Sequence, residues 1–460
     1  MFYQKKKEKE NFEAREKSLL IELDQLKNRI ACLETEKAQW NDCQEKNCSE
    51  RESLLQETEQ LRNRCSQLQA DNDRVYAGHR GMEEEINYLK YRISTLDELH
   101  ESIVFGNWPH DGSFKNYTCR YPFERLEILP RGEVYTCCSG HIKHNYYIGN
   151  IYEDSTDFEG IWNSDKAKKL RYSVQEGNFE FCQKKCKFFH MPLDEDNPIR
   201  PKEITDETFS CKEWKDFGIK TTPKYIMLSC DESCNLRCPS CRSHIKALRK
   251  EESDKLYDRL TKIVRPMLKD CELLGALGTG EIFASSAISR FLKTISATEF
   301  PRLNLILTTN LQMADEAKWN EFSNLLDIPK TMRISMDGAS KETYEKNRLG
   351  GVWERLQENL AYLCKLRKDP DAHVDHICLN FVVQDNNYHE MKAFTAMAEE
   401  LGVDAVEFQK LTNWGTYSEQ EFIGKDVLNS NHPCHEVVIN TLKELLEPSS
   451  RKIEIIQNIL

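Results

Sequence analysis

Hydrophobic positions along this chain change period twice, and each change marks a segment. From Leu19 to Leu96 they recur in one unbroken heptad frame. One seam position reads Leu19, Leu26, Leu33, Trp40, Asn47, Leu54, Leu61, Leu68, Val75, Met82, Leu89 and Leu96. The other mixes Leu23, Ile30, Ile86 and Ile93 with polar residues such as Lys37, Gln44 and Asn72. Leucine at one seam with scattered polar residues at the other predicts a parallel two-stranded α-helical coiled coil over 1–100, and a homodimer through it. A solvated single helix, or an amphipathic helix packed on its own chain, is the alternative. From 221 to 434 short apolar runs alternate with amphipathic stretches. Strand candidates are 225–229, 272–276, 303–308, 331–335, 376–383 and 404–408, with helical patterns near 243–268, 284–297, 314–326, 352–367 and 387–401. Six β/α units with mostly apolar strands predict an α/β fold, a parallel sheet buried on both faces. Periodicity does not separate a doubly wound sheet from a partial barrel. The tail, 435–460, reads as a helix and an extended end that packs on the sheet or caps its mouth.

Between these lies a stretch, 104–220, rich in aromatics, glycine and cysteine. It holds Cys119-x12-Gly132-x4-Cys137, with Cys138 beside it, then Gly149-Asn150, Trp162-Asn163 and Cys182-x3-Cys186. Two separated pairs of thiols on a loop-rich unit with little core of its own predict a metal site that holds the unit together. All-thiolate sites suit either zinc or an iron–sulfur cluster.

Charge and composition narrow the function. The net charge of −12 argues against nonspecific binding to nucleic acid or anionic membranes. No run of 18 apolar residues spans a membrane, and the first residues lack the apolar core of a signal peptide. Eighteen cysteines, several at metal-ligand spacings, then fit a reducing cytoplasm better than a disulfide framework.

The most specific signal is Cys234-x3-Cys238-x2-Cys241, on a loop between the first strand candidate and a helical pattern. Three thiolates this close ligate three irons of a [4Fe–4S] cube and leave the fourth without a protein ligand. Here the chain resembles the radical S-adenosylmethionine (SAM) superfamily. That resemblance implies a partial (β/α)6 barrel. It also implies that SAM chelates the open iron and is split by one electron into methionine and a 5′-deoxyadenosyl radical. The 104–220 stretch resembles a SPASM domain, although that module usually follows the barrel and carries seven cysteines for two clusters. The resemblance therefore implies one auxiliary [4Fe–4S] cluster on Cys119, Cys137, Cys182 and Cys186, with Cys138 or Cys211 as substitutes.

Further motifs stand at strand ends, where ligands gather in parallel sheets. Gly275-Ala-Leu-Gly278-Thr-Gly280-Glu281 resembles the family's Gly-Gly-Glu motif, implying contacts to the SAM ammonium. Thr308-Thr-Asn310 resembles a Thr-Asn-Gly turn with Leu311 in place of glycine; Asn310 contacts the cofactor or caps a turn. Ser335-Met-Asp337-Gly resembles Ser-Ile-Asp-Gly, with Ser335 toward SAM and Asp337 on the substrate side. Arg348 offers a planar fork to the SAM carboxylate, or is an exposed helix-end arginine. Asn380 contacts SAM or substrate, or satisfies backbone at a strand end, and Glu407 and Gln409 face inward. The expected activity is hydrogen abstraction from a peptide or small-molecule substrate, with a flavodoxin or ferredoxin as electron donor. The rival is a zinc-binding interaction scaffold oligomerised by its coiled coil.

Overall fold

The computed structural model describes residues 114–458 except 144–145, 154–156, 185, 190, 192, 194–196, 202–212, 277–278 and 448–452. The coiled coil expected over 1–100 lies outside the described residues. Those described, Lys143 apart, form one compact unit.

The first strands are β1 (Tyr117–Cys119), β2 (Arg125–Ile128), β3 (Glu133–Tyr135), β4 (Gly149–Asn150) and β5 (Ile199–Pro201). Next come β6 (Tyr225–Leu228), β7 (Leu273–Ala276), β8 (Asn304–Thr309), β9 (Lys330–Ser335), β10 (Val374–Val383), β11 (Ala405–Lys410) and β12 (Glu454–Asn458). β1 pairs only with β5, while the rest build one ten-stranded sheet in the order β12-β11-β10-β9-β8-β7-β6-β2-β3-β4. From β12 to β2 every neighbour is parallel, and β3 and β4 turn back as an antiparallel edge.

All six strand candidates are present, and β6 to β11 follow chain order without reversal. A doubly wound sheet has a point where strand order reverses; β6 to β11 have none. Two further parallel strands flank the six. The chain's tail supplies β12 against β11, and β2 of the Cys-rich segment pairs with β6, Leu126 opposite Ile226. The sheet thus crosses the boundary that composition draws near 220.

Consecutive residues are buried along β6, β7, β10 and β11, as expected of strands covered on both faces, whereas β8 and β9 depart from that expectation. In β9 burial alternates: Met332 and Ile334 are fully buried, whereas Thr331, Arg333 and Ser335 are half-exposed. Met332 and Ile334 join a continuous core with Leu307, Leu379, Phe408 and helix residues such as Phe291, Leu360 and Phe394. Each such side chain contributes about 1.5–3 kcal/mol. The opposite face carries Thr308, Arg333, Ser335, Cys378, Asn380, Glu407 and Gln409 in register across β8 to β11. Across this face Arg333 Nη2 pairs with Glu407 Oε2.

Helices are mostly shorter than their patterns. The stretch 243–268 yields Lys250–Arg259, a π-turn over Leu260–Val264 and a 3-10 segment at Arg265–Lys269 that carries Pro266 near its start. It starts late because residues 242–249 fold back on the cysteine loop: Lys246 O accepts from Cys234 N and Leu248 N donates to Ser233 Oγ. Trp162 and Asn163 fasten the Cys-rich segment to the strand that follows. Trp162 Nε1 donates to Thr221 O at 2.8 Å, and the Asn163 amide exchanges two hydrogen bonds with the Ile219 backbone.

Candidate cofactor and cluster sites

The Cys234–Cys241 loop leaves the end of β6 and is pinned from three sides. Arg237 N donates to Leu349 O at 2.9 Å, and Glu281 N donates to Ser233 O at 2.7 Å. Buried Asp231 accepts from Ser233 N and from Ser285 Oγ. Gly280 is required by this contact. A Cβ there would stand 2.4 Å from Ser233 O and 2.6 Å from Asp231 O, backbone atoms that cannot swing away.

Each loop sulfur receives a donor. Cys234 Sγ accepts from Leu236 N at 3.4 Å and faces Asn310 Nδ2 at 3.8 Å. Cys238 Sγ faces Arg348 Nη1 at 3.8 Å, and Cys241 Sγ accepts from Arg242 Nη2 at 3.3 Å. Burial pushes the Cys234 and Cys238 thiols up. Their ionisation therefore needs the compensation that iron and these donors supply.

Most strand-end residues come together around this loop. Both Glu281 oxygens are engaged: Oε1 accepts from Thr309 Oγ1 at 2.7 Å and Phe283 N at 3.3 Å, and Oε2 from Asn310 N at 2.6 Å. A carboxylate has about four lone-pair positions, so one stays open to an ammonium. Burial pushes the Glu281 carboxyl up, and these donors oppose it. Leu311 adopts the left-handed conformation, φ +62°, where the resembled turn has glycine, and its side chain is fully buried.

Asp337 also has a positive φ, +61°. It does not stand free: Oδ1 accepts from Val382 N at 2.8 Å and Oδ2 from Arg348 Nη2 at 2.7 Å. Arg348 is no exposed helix-end residue, since its side chain is 15% exposed and bridges Asp337 to Cys238. Its Nε is buried with no hydrogen-bond partner. Ser335 and Asn380 sit opposite one another on β9 and β10, on the polar face. Gly278 lies outside the described residues.

The second cysteine group also converges. Cys119, Cys137, Cys182 and Cys186 line one pocket whose remaining wall is largely apolar, with Phe179, Phe188 and Ile199. Burial pushes the Cys119 thiol up to about 12 and Cys186 up to about 11, and holds Cys137 well above the ordinary range. Cys138 does not line the pocket, and Cys211 is outside the described residues. Among the described residues no three His, Cys, Asp or Glu side chains converge to hold one metal ion. The four cysteines line one cavity, and a four-thiol set fits an iron–sulfur cluster as it does zinc. The loop site fits its implied group as well, with three thiols, a close-approach glycine and one buried unpartnered guanidinium nitrogen.

Arg242 was not singled out in the sequence. Its only signal there is a basic residue directly after the third cysteine.

No helix among the described residues is long and apolar enough to cross a membrane. Residues 119–187 match the SPASM family, an iron-sulfur cluster-binding domain. All four pocket cysteines fall inside that match. The chain is 26% identical over 185 residues to a tungsten-containing aldehyde ferredoxin oxidoreductase cofactor-modifying protein of Pyrococcus furiosus, covering 40% of this chain and 50% of that protein. It thus spans about half the length of that curated relative. Similar solved structures include Streptococcus suis SuiB bound to S-adenosylmethionine, with 13% identity, a TM-score of 0.39, and 52% of this chain and 51% of that one covered. Another is anSMEcpe with bound AdoMet, with 19% identity, a TM-score of 0.30, and 41% and 51% covered. Residues 119–187 thus match a SPASM domain, and the parallel sheet that follows carries the three-cysteine loop at the end of β6.

Proposed function

We propose that this chain is a radical SAM enzyme acting on a peptide or a small polar molecule, with its six-stranded unit serving as a partial (β/α)6 barrel. One observation carries the reading: the donors around the three loop thiols end in Arg348 Nε, a buried cationic N–H with no partner. Cys234, Cys238 and Cys241 would hold a [4Fe–4S] cluster. When bound, it would supply the electron for splitting SAM into methionine and a 5′-deoxyadenosyl radical, which takes hydrogen from substrate.

The chain's residues bind and orient. Arg348 Nε donates to the SAM carboxylate, held in place by Asp337, which therefore positions Arg348 rather than lining the substrate side. The open lone pair of Glu281 accepts from the SAM ammonium beside the Gly278-to-Gly280 backbone. Asn310, Ser335 and Asn380 supply polar contacts along the cofactor. The polar face with half-buried Thr308, Arg333 and Gln409 and buried Glu407 receives a polar substrate. Cys119, Cys137, Cys182 and Cys186 hold one auxiliary cluster. A flavodoxin or ferredoxin delivers electrons, residues 1–100 dimerise the protein, and the compartment is the cytoplasm.

Anaerobic purification with iron and sulfide analysis tests this, followed by 5′-deoxyadenosine production from SAM and dithionite. The wild type forms the nucleoside and Cys238→Ala abolishes it. Zinc without sulfide, or a sulfide-loaded protein that never cleaves SAM, overturns the proposal.

A further inference from the structure

Resting on that reading of the cysteine loop, we propose that Arg242 sets the reduction potential of the loop cluster by donating a charged hydrogen bond to the Cys241 thiolate. Arg242 is 8% exposed and reaches three partners at once. Nη1 donates to Glu232 O at 2.6 Å, and Nη2 donates both to Thr279 O and to Cys241 Sγ at 3.3 Å. Two carbonyls therefore fix the guanidinium plane, one before the first cysteine and one on the glycine turn after β7. The N–H toward sulfur stays aimed whether or not iron is present.

The contacts of this buried arginine are two neutral carbonyls and the Cys241 sulfur. The nearby carboxylate of Glu232 is engaged elsewhere, with Lys246 Nζ at 2.9 Å. A buried charge needs a counter-charge, and for Arg242 that charge is thiolate. Arg348 and Asn310 also face loop sulfurs, but the proposed function assigns both to SAM. Arg242 also holds Thr279 O of the glycine turn, so the midpoint is read without SAM as well as with it in every variant.

The sign follows directly. Reduction adds one negative charge to the cluster, and a fixed positive charge with an N–H aimed at one sulfur favours that state. Removing the charge makes the cluster harder to reduce. Arg242→Gln keeps a planar donor without the charge, and Arg242→Lys keeps the charge without the fork.

The test is an EPR-monitored redox titration of the full-length, cluster-loaded protein. It follows the reduced signal that changes on adding SAM, which separates the open-iron cluster from the auxiliary one. In Arg242→Gln the reduced-to-oxidised ratio at fixed potential should fall about tenfold, a downward shift of about 59 mV for one electron. Arg242→Lys should fall between Gln and wild type, with iron and sulfide content unchanged in both. An unchanged midpoint in a fully loaded Gln variant overturns the proposal. So does loss of the cluster in both variants, which would make Arg242 a brace of the loop. Absence of any SAM-sensitive signal in the wild type would instead overturn the assignment of the loop itself.

Discussion

The left-handed Leu311 gives the sharpest quantitative test of the site's backbone. At φ +62° an L-residue bears about 1–2 kcal/mol that glycine does not. Leu311 is also fully buried, so truncation to Ala costs about 3 kcal/mol whatever the backbone does. The strain is isolated by comparing Ala with Gly at this position and at Leu307, which is 1% exposed within β8. At Leu307 Gly should fall below Ala by about 1.5 kcal/mol, one methyl at about 0.8 plus the entropy of glycine. At Leu311 relief of the positive φ offsets that loss, and the two variants should agree within about 0.5 kcal/mol. Anaerobic urea titrations of the four loaded variants, compared through midpoints with a shared slope, measure both gaps. Equal gaps at the two positions would refute the claim that this turn stores strain beside Asn310.

The Arg348–Asp337 pair predicts strong coupling. Asp337→Asn tolerates the positive φ yet leaves a buried guanidinium without its counter-charge, at about 3 kcal/mol; Arg348→Met strands the carboxylate at similar cost. The double variant should be destabilised by clearly less than the sum, and strict additivity in a urea cycle would contradict the pairing. Lys330 predicts a pH slope. Its ammonium, 1% exposed, donates to Leu326 O, Ala372 O and His373 O, and burial lowers its pKa from 10.5 to about 8. Between these values the unfolded chain binds more protons than the folded one, so this contribution to stability rises with pH, by up to about 3 kcal/mol. It is fully present above 10.5 and lost as pH falls through about 8. Wild type relative to Lys330→Met should show this upward trend in urea midpoints, and a flat difference would assign Lys330 no titration in the window.

The sequence carries the six strands because each is a compact apolar run, and it carries both cysteine groups because spacing is itself the chemistry. It does not carry what depends on partners far along the chain. Arg348 is an arginine at a helix end until Asp337 and Cys238 are brought beside it. Asp337 looks like a substrate contact until Val382 N and Arg348 occupy its oxygens. Glu281 looks like a simple cation ligand, yet it accepts from Thr309 and Asn310 and so ties the turn after β7 to the end of β8. The polar face is hidden for a related reason: Arg333, Cys378 and Glu407 are scattered in sequence and form one surface only through register. β2 and β12 lie outside the six β/α units in sequence, so their place beside β6 and β11 depends on pairing that local pattern does not carry.

The pairing of β2 with β6 joins the two cysteine groups mechanically. Cys137 of the auxiliary pocket stands two residues past β3, which pairs with β2, while β6 launches the Cys234–Cys241 loop, and neighbouring strands lie about 4.8 Å apart under backbone hydrogen bonding. Whatever separates the two cysteine groups is therefore held by backbone hydrogen bonding through the sheet rather than by a loose linker.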